Sequence, residues 1–173
     1  VSLTSIRRRQ LAGAILQSNG SPLLTRPRNR RGSEVVSLLA LTRHHAQAMA
    51  ALHQEAFETP WSEQDFKTFL DLPTYRSFGW MHEKGEIAGF LLFNIIPPEI
   101  ELCTICINPQ HGRHGLARNL LEQSLKSISD CEICFLEVAE SNKGAIALYS
   151  NIGFMAAGFR ENYYRRPNGC VEN

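Results

Sequence analysis

The sequence has no apolar run approaching the ~20 residues of a membrane-spanning helix, so no helical span and no membrane partner are expected. It has no G-K-S or G-K-T phosphate loop and no G-x-G-x-x-G dinucleotide fingerprint, so neither common nucleotide-binding signature applies. Its first 33 residues contain no acid, although they hold seven arginines. The remainder therefore keeps eleven Lys and Arg against all seventeen Asp and Glu, a net of −6 hidden under an overall +1. A mildly acidic folded part argues against a nucleic-acid surface. Cysteine is not paired off either, since there are five.

Four of those cysteines form Cys103-x-x-Cys106 and Cys131-x-x-Cys134, a spacing that zinc ribbons use. The pairs are 24 residues apart, and both lie in runs that read as strands, "IELCTICI" and "CEICFLEV". Residues i and i+3 of a strand point to opposite faces. No metal site is expected, and the thiols are read as small core residues suited to a reducing cytoplasm. His111-x-x-His114 has no further ligands near it in sequence and is not read as a metal site.

What is present divides at residue 34. Residues 1–33 are rich in Arg, Ser, Pro and Gly without a sustained hydrophobic period. They read as a basic, disordered extension; the composition also suits a transit peptide, but not a secretory signal. Residues 34–173 read as one domain. "EVVSLLAL" is a strand by its β-branched apolar run. "TRHHAQAMAALHQEAF" has helical spacing, with His44, His45 and His53 expected on the helix surface. "PWSEQDFKTFLDL" opens a second helix, with Ser62 and Asp65 as a capping box. Trp61 either lines a groove or staples that helix start. "TYRSFGWMHE" and "EIAGFLLFNII" flank Lys84-Gly85, a hairpin signal, and "EIELCTICI" continues the meander.

Then comes "INPQHGRHGLARNLLEQSL": a strand end, a glycine-rich turn with cationic residues, and a helix whose apolar face is Leu116, Leu120, Leu121, Leu125 and Ile128. Helix N-termini offer unpaired N–H groups and about half a positive charge. Glycines there let an anion approach the backbone. "CEICFLEVA" is a strand, "SNKGAIALYSNI" a helix capped by Ser141 or Asn142, and "FMAAGFRENYY" the last strand, after Gly153. The predicted order is β-α-α-β-β-β-α-β-α-β, an α+β or mixed α/β domain around a twisted central sheet.

Arg-His-Gly-Leu-Ala at 113–117, "FLEVAESNKGAIALYSNIGF" at 135–154, "NYY" at 162–164 and "PWSE" at 60–63 together resemble the GNAT acyltransferases. Within them the pattern resembles the ribosomal-protein-alanine N-acetyltransferase (RimI) family, over about residues 34 to 169. The resemblance implies acetyl-CoA as co-substrate and a protein N-terminal amine as acceptor, in the best case an N-terminal Ala of a ribosomal protein, in a cytoplasmic enzyme. It implies that the backbone of Arg113, His114, Gly115, Leu116, Ala117 and Arg118 holds the pyrophosphate. It implies that the edge of Ile105, Cys106 and Ile107 pairs with the pantetheine arm, and that Asn142 hydrogen-bonds the cofactor. Glu137 is implied as general base and Tyr149 as general acid.

Read without the family, Glu137 is a strand-end surface residue and Tyr149 a core residue; Glu101 is a second candidate base. The competing functions are acetylation of a lysine side chain or small-molecule amine, and a non-catalytic acyl-CoA-binding module. Two departures from the family pattern stand out. Gly112 occupies the position where the phosphate loop has Gln or Arg. The family also continues past "NYY" into a final strand, whereas this chain ends at "NGCVEN", so an exposed sheet edge and an incomplete groove wall are expected.

Overall fold

The computed structural model describes residues 3–9, 35–82, 85–111 and 115–160. Strands β1 (Leu3–Arg9), β2 (Val35–Leu41), β3 (Tyr75–His82), β4 (Ile87–Ile96), β5 (Glu99–Ile107), β6 (Ile133–Ala139) and β7 (Met155–Arg160) form one sheet of order β2-β3-β4-β5-β6-β1-β7. Helices α1 (Ala46–Ala56) and α2 (Glu63–Asp71) follow β2, α3 (Leu116–Lys126) links β5 to β6, and α4 (Lys143–Asn151) links β6 to β7. From β2 onward this is the expected order. Among the described strands β5 and β6 run parallel and every other pair is antiparallel.

Local chemistry accounts for the elements. Gly85, at φ +79°, turns the β3–β4 hairpin, and its N–H donates to the His82 carbonyl at 2.8 Å. Ser62 caps α2 by accepting from the Asp65 N–H at 3.2 Å, while the Asp65 carboxylate accepts from the Ser62 N–H at 2.7 Å. That is the reciprocal box the sequence signals. Those bonds hold the Asp65 carboxyl below its ordinary range. Asn142, rather than Ser141, caps α4, its side-chain oxygen accepting from the Ala145 N–H at 3.0 Å.

The helices cover both faces of the sheet. Leu120, Leu121, Leu125 and Ile128 pack on one face with Leu91, Phe93, Ile100, Leu102, Leu136 and Val138. Met49, Leu52 and Phe66, from α1 and α2, pack on the other with Leu41, Phe90 and Cys106. The whole predicted apolar face of the α3 segment is buried.

β1 corrects the sequence reading. Residues 3–9, expected in a disordered extension, pair with β6 from Leu3↔Ala139 to Arg9↔Ile133 and with β7 from Leu3↔Arg160 to Arg7↔Met155. β1 thus lies between β6 and β7, and among the described residues the sheet edges are β2 and β7. The signal was weak because a run ending in three arginines lacks the apolar alternation that marks a half-buried strand. Its partners define it instead. Residues 10–34 and 161–173, including "NYY", lie outside the described residues.

A β-bulge in β5 matters for the site. Leu92 pairs with Thr104 and Phe93 with Leu102, so Cys103 is the extra residue. Before it Ile100 and Leu102 face α3; after it Ile105 and Ile107 do, and Cys106 turns to the α1 and α2 side. A bulge exchanges the faces in this way because it shifts the two-residue alternation by one.

Candidate active site

β5 and β6 begin as a parallel pair and then separate. Rungs run from Glu99↔Ile133 to Leu102↔Leu136 and stop. Beyond them, among the described strands, Thr104–Ile107 is laddered to β4 and Glu137–Ala139 to β1. The sheet therefore opens into a fork, with no described strand between the inner edges of its two prongs. An extended chain bearing amide groups can pair with such an edge, as a peptide does in β-augmentation. Ile105, Cys106 and Ile107 all lie on it.

On the fork's α1 and α2 side is a cavity of about 360 Å³ lined by Asn94, Ile96, Glu99, Glu101, Phe135 and Glu137, among others. The sheet register explains the grouping. Tyr75, Asn94, Glu101, Phe135 and Arg7 form one row across β3, β4, β5, β6 and β1, and Glu137, two residues beyond Phe135, shares its face. Both candidate bases, Glu137 and Glu101, thus stand over one cavity. Asn94 and Phe135 were not singled out from sequence, although alternation along "CFLEVA" puts Phe135 on the face of Glu137.

Tyr149 lies on the other face. It is buried among Leu136, Val138 and Phe154, with its ring edge-on to Phe154 at 5.7 Å. Burial pushes its phenol up to about 12, with the Cys134 and Cys106 thiols adding to the shift. Those two cysteines sit on β6 and β5, so Tyr149 is close to the fork's base. Glu137 and Tyr149 are thus on opposite faces of one sheet, and the fork is where the backbone between them is open.

At the start of α3, Gly115 is the N-cap at φ +73°, in the left-handed region, and a Cβ built on it would meet nothing within 4 Å. The space is open, so the backbone angle is what calls for glycine. Leu116 is buried, Ala117 half-buried and Arg118 exposed. Arg118 bonds Glu122 at 3.1 Å along the helix, so its side chain is turned down α3 and its backbone is what remains for an anion. Gly112, Arg113 and His114 lie outside the described residues. His111 faces His82 across the hairpin end, with ring centroids 5.7 Å apart.

Two histidine and cysteine readings are resolved. His53 is buried, not on the helix surface as expected; it stacks on Phe57 at 4.2 Å and on Trp61 at 5.1 Å. Its Nδ1 accepts the Trp61 N–H at 3.1 Å, and burial lowers its pKa. Trp61 accordingly packs against His53, Phe66 and Phe69 at the entrance to α2. Helical spacing did carry that signal, because His53 falls on the stripe of Met49 and Phe57. Cys106, Cys131 and Cys134 are buried free thiols, and burial pushes Cys106 up to about 12. Such thiols are poor nucleophiles.

A sheet that forks beside a glycine-led helix N-terminus can take an extended, anionic acyl thioester, and this defines the class as a coenzyme A-dependent acyltransferase. The chain belongs to the acetyltransferase (GNAT) family, whose model matches residues 46–154. It is similar to the ribosomal protein bS18-alanine N-acetyltransferase of Escherichia coli strain K12, at 36% identity over 125 residues covering 69% of this chain and 82% of that protein. It is similar to the N-alpha-acetyltransferase RimI of Mycobacterium tuberculosis, at 33% identity over 139 residues covering 77% and 87%. The crystal structure of the ribosomal-protein-S18-alanine N-acetyltransferase from Escherichia coli superposes with a TM-score of 0.66 at 30% identity, covering 76% of this chain and 84% of that one. The protein is an acetyl-CoA-dependent N-acetyltransferase. No helix among the described residues is long and apolar enough to cross a membrane.

Proposed function

We propose that this enzyme moves the acetyl group of acetyl-CoA to the N-terminal α-amine of a protein, and to the N-terminal Ala of a ribosomal protein in particular. The observation that carries the reading is the placement of Glu137 over a carboxylate-lined cavity at the mouth of the fork. The relatives' names supply the acceptor. An α-amine of pKa about 7.7–8.0 is partly neutral at physiological pH, whereas a lysine near 10.4 is not, so a single carboxylate base suffices. Glu99, Glu101 and Glu137 draw in the protonated amine. Glu137 then takes its proton, directly or through one water, as nitrogen attacks the thioester carbon.

The backbone of Ile105, Cys106 and Ile107 aligns the pantetheine arm, and its N–H groups oppose negative charge on the carbonyl oxygen. The backbone of Gly115, Leu116, Ala117 and Arg118 holds the pyrophosphate with the α3 dipole, completed by Arg113 and His114. Asn142 commits its side-chain oxygen to capping α4, which leaves its NH2 group to donate to the cofactor. Tyr149 faces the leaving sulfur. A phenol at about 12 holds its proton at physiological pH, and full transfer to a thiolate near 8.5 would be uphill. The balanced transfer expected of an ordinary tyrosine is lost to burial. Tyr149 therefore acts mainly as a hydrogen-bond donor that stabilises the departing sulfur.

The test is mass spectrometry of acetyl-CoA reactions with two peptides. One has a free N-terminal Ala and no Lys; the other is N-terminally blocked with one Lys. Modification of the first alone is expected. Modification of the second alone would move the assignment to a side-chain acetyltransferase. Glu137→Gln should lower turnover by ~10²–10⁴-fold with acetyl-CoA still bound. Unchanged turnover would make Glu101 the base.

A further inference from the structure

The half of β6 that carries Glu137 has lost its pairing to β5 and is held on its outer side by β1. The register is Ser5↔Glu137, Thr4↔Val138 and Leu3↔Ala139. The three residues that hold this half of β6 lie some 130 positions away in the sequence. β1 is also held from behind, since Ser5 pairs with Gly158 and Thr4 with Phe159 of β7. A central strand with ladders on both sides is far stiffer than an edge strand.

We infer that β1 is a positioning strand for the active site: the backbone of residues 3–5 sets where Glu137 stands. The inference rests on the reading of Glu137 as base. The β1 ladder fixes the register, because an antiparallel slip of one residue would turn Glu137 to the α3 face and Val138 into the cavity. Arg7, exposed and paired with Phe135, extends the row of Tyr75, Asn94 and Glu101, so β1 completes the cavity-side wall of the sheet as well as bracing it.

Positioning of this kind acts on turnover more than on cofactor binding, because the edge of Ile105, Cys106 and Ile107 is laddered to β4 and not to β1. The experiment uses the full chain with Ser5→Pro, which removes a ladder N–H from the middle of the sheet, and Ser5→Ala, which keeps it. Ser5→Pro should lower kcat by about 100-fold with acetyl-CoA affinity within ~3-fold, and Ser5→Ala should restore wild-type kcat. In a Glu137→Gln background the proline should cost little more, because both changes remove one function.

Unchanged kcat in folded Ser5→Pro overturns the inference, as does full additivity with Glu137→Gln. If Glu137→Gln alone has no effect, the base reading fails in its own single variant and takes the inference with it. If Ser5→Pro does not fold, hydrogen exchange of the unaltered chain decides. Amides of residues 3–9 and 137–139 protected together support the brace; residues 3–9 exchanging at free-chain rates overturn it.

Discussion

In their first halves β5 and β6 are joined rung for rung, from Glu99↔Ile133 to Leu102↔Leu136; in their second halves Thr104–Ile107 and Glu137–Ala139 share none. The residues are not very different in kind. Both halves are β-branched, apolar and acidic by turns, and both carry a cysteine core. What differs is the inner ladder, because β4 flanks β5 and β1 flanks β6 along both halves. The joined halves are laddered on both sides; among the described residues the separated halves keep the outer ladder alone, β5 through Gly89↔Ile107, Phe90↔Cys106 and Leu91↔Ile105, and β6 through β1. The candidate active site is thus a place where two neighbouring strands share no ladder, and the strands on either side hold them in place.

The sharpest way to break that contrast is to push on the inner prong from behind. Gly89 pairs with Ile107 across β4 and β5, and a Cβ built on it would lie 2.5 Å from Ile107 Cδ1 and 2.9 Å from the Cys106 carbonyl oxygen. The side-chain end can move aside; the backbone oxygen cannot without shifting the prong. Gly89→Ala should destabilise the fold by ~1–3 kcal/mol and weaken acetyl-CoA binding by roughly tenfold. Thermal melting and calorimetric titration read the two effects. A fall in melting temperature with unchanged acetyl-CoA affinity would show that the inner prong is not the cofactor's edge.

A change at the fork's base should leave both prongs in place. Tyr149→Phe keeps the ring against Phe154 and removes only the phenol. Loss of a hydrogen bond to a charged group is worth ~1.5–3 kcal/mol, so kcat should fall roughly 10–100-fold with little change in acetyl-CoA affinity. The pH dependence has a definite sign. Tyr149 is raised from 10 to about 12 by burial, so its proton stays on throughout the range in which an ordinary tyrosine would lose it. The unaltered enzyme should therefore show no loss of kcat assignable to a phenol between pH 9 and 10. A kcat that drops there, and only with Tyr149 present, would place the phenol in a more polar setting than the one described.

How far the sequence carried this depends on the same contrast. The meander β3-β4-β5 was legible because its connections are short and its pairing is between neighbours; Lys84-Gly85 and the apolar runs sufficed. The α2 start was legible because Ser62 and Asp65 form a local device. The α3 stripe was legible because period and burial agree. β1 was not, because nothing within residues 3–9 demands a strand and its partners lie beyond position 130. The Cys103 bulge was not, because a register shift belongs to two strands and neither sequence shows it alone. The site divided in the same way. Glu137 and Tyr149 came from a family resemblance, and periodicity by itself made one a surface residue and the other a core residue. Their placement on opposite faces of an open fork depends on β6 separating from β5, a pairing that no local pattern records.

The smallest change sharpens the contrast by leaving the fork alone. Ser62→Ala removes the side-chain acceptor for the Asp65 N–H and one half of the α2 capping box, at an expected ~1 kcal/mol. α2 packs through Phe66 on Phe90, Met49 and Leu52, in the half of the molecule where β2, β3 and β4 pair along their lengths, with one register shift in each ladder. The loss should appear in thermal melting and nowhere at the fork: acetyl-CoA affinity and the turnover of a free N-terminal Ala peptide should stay within about twofold. Equal stability losses that differ in this way would separate bracing of the fork from general support of the fold. If Ser62→Ala lowered acetyl-CoA affinity as far as Gly89→Ala does, the inner prong would be sensitive to stability anywhere in the domain, and the special role given to its β4 partner would be lost.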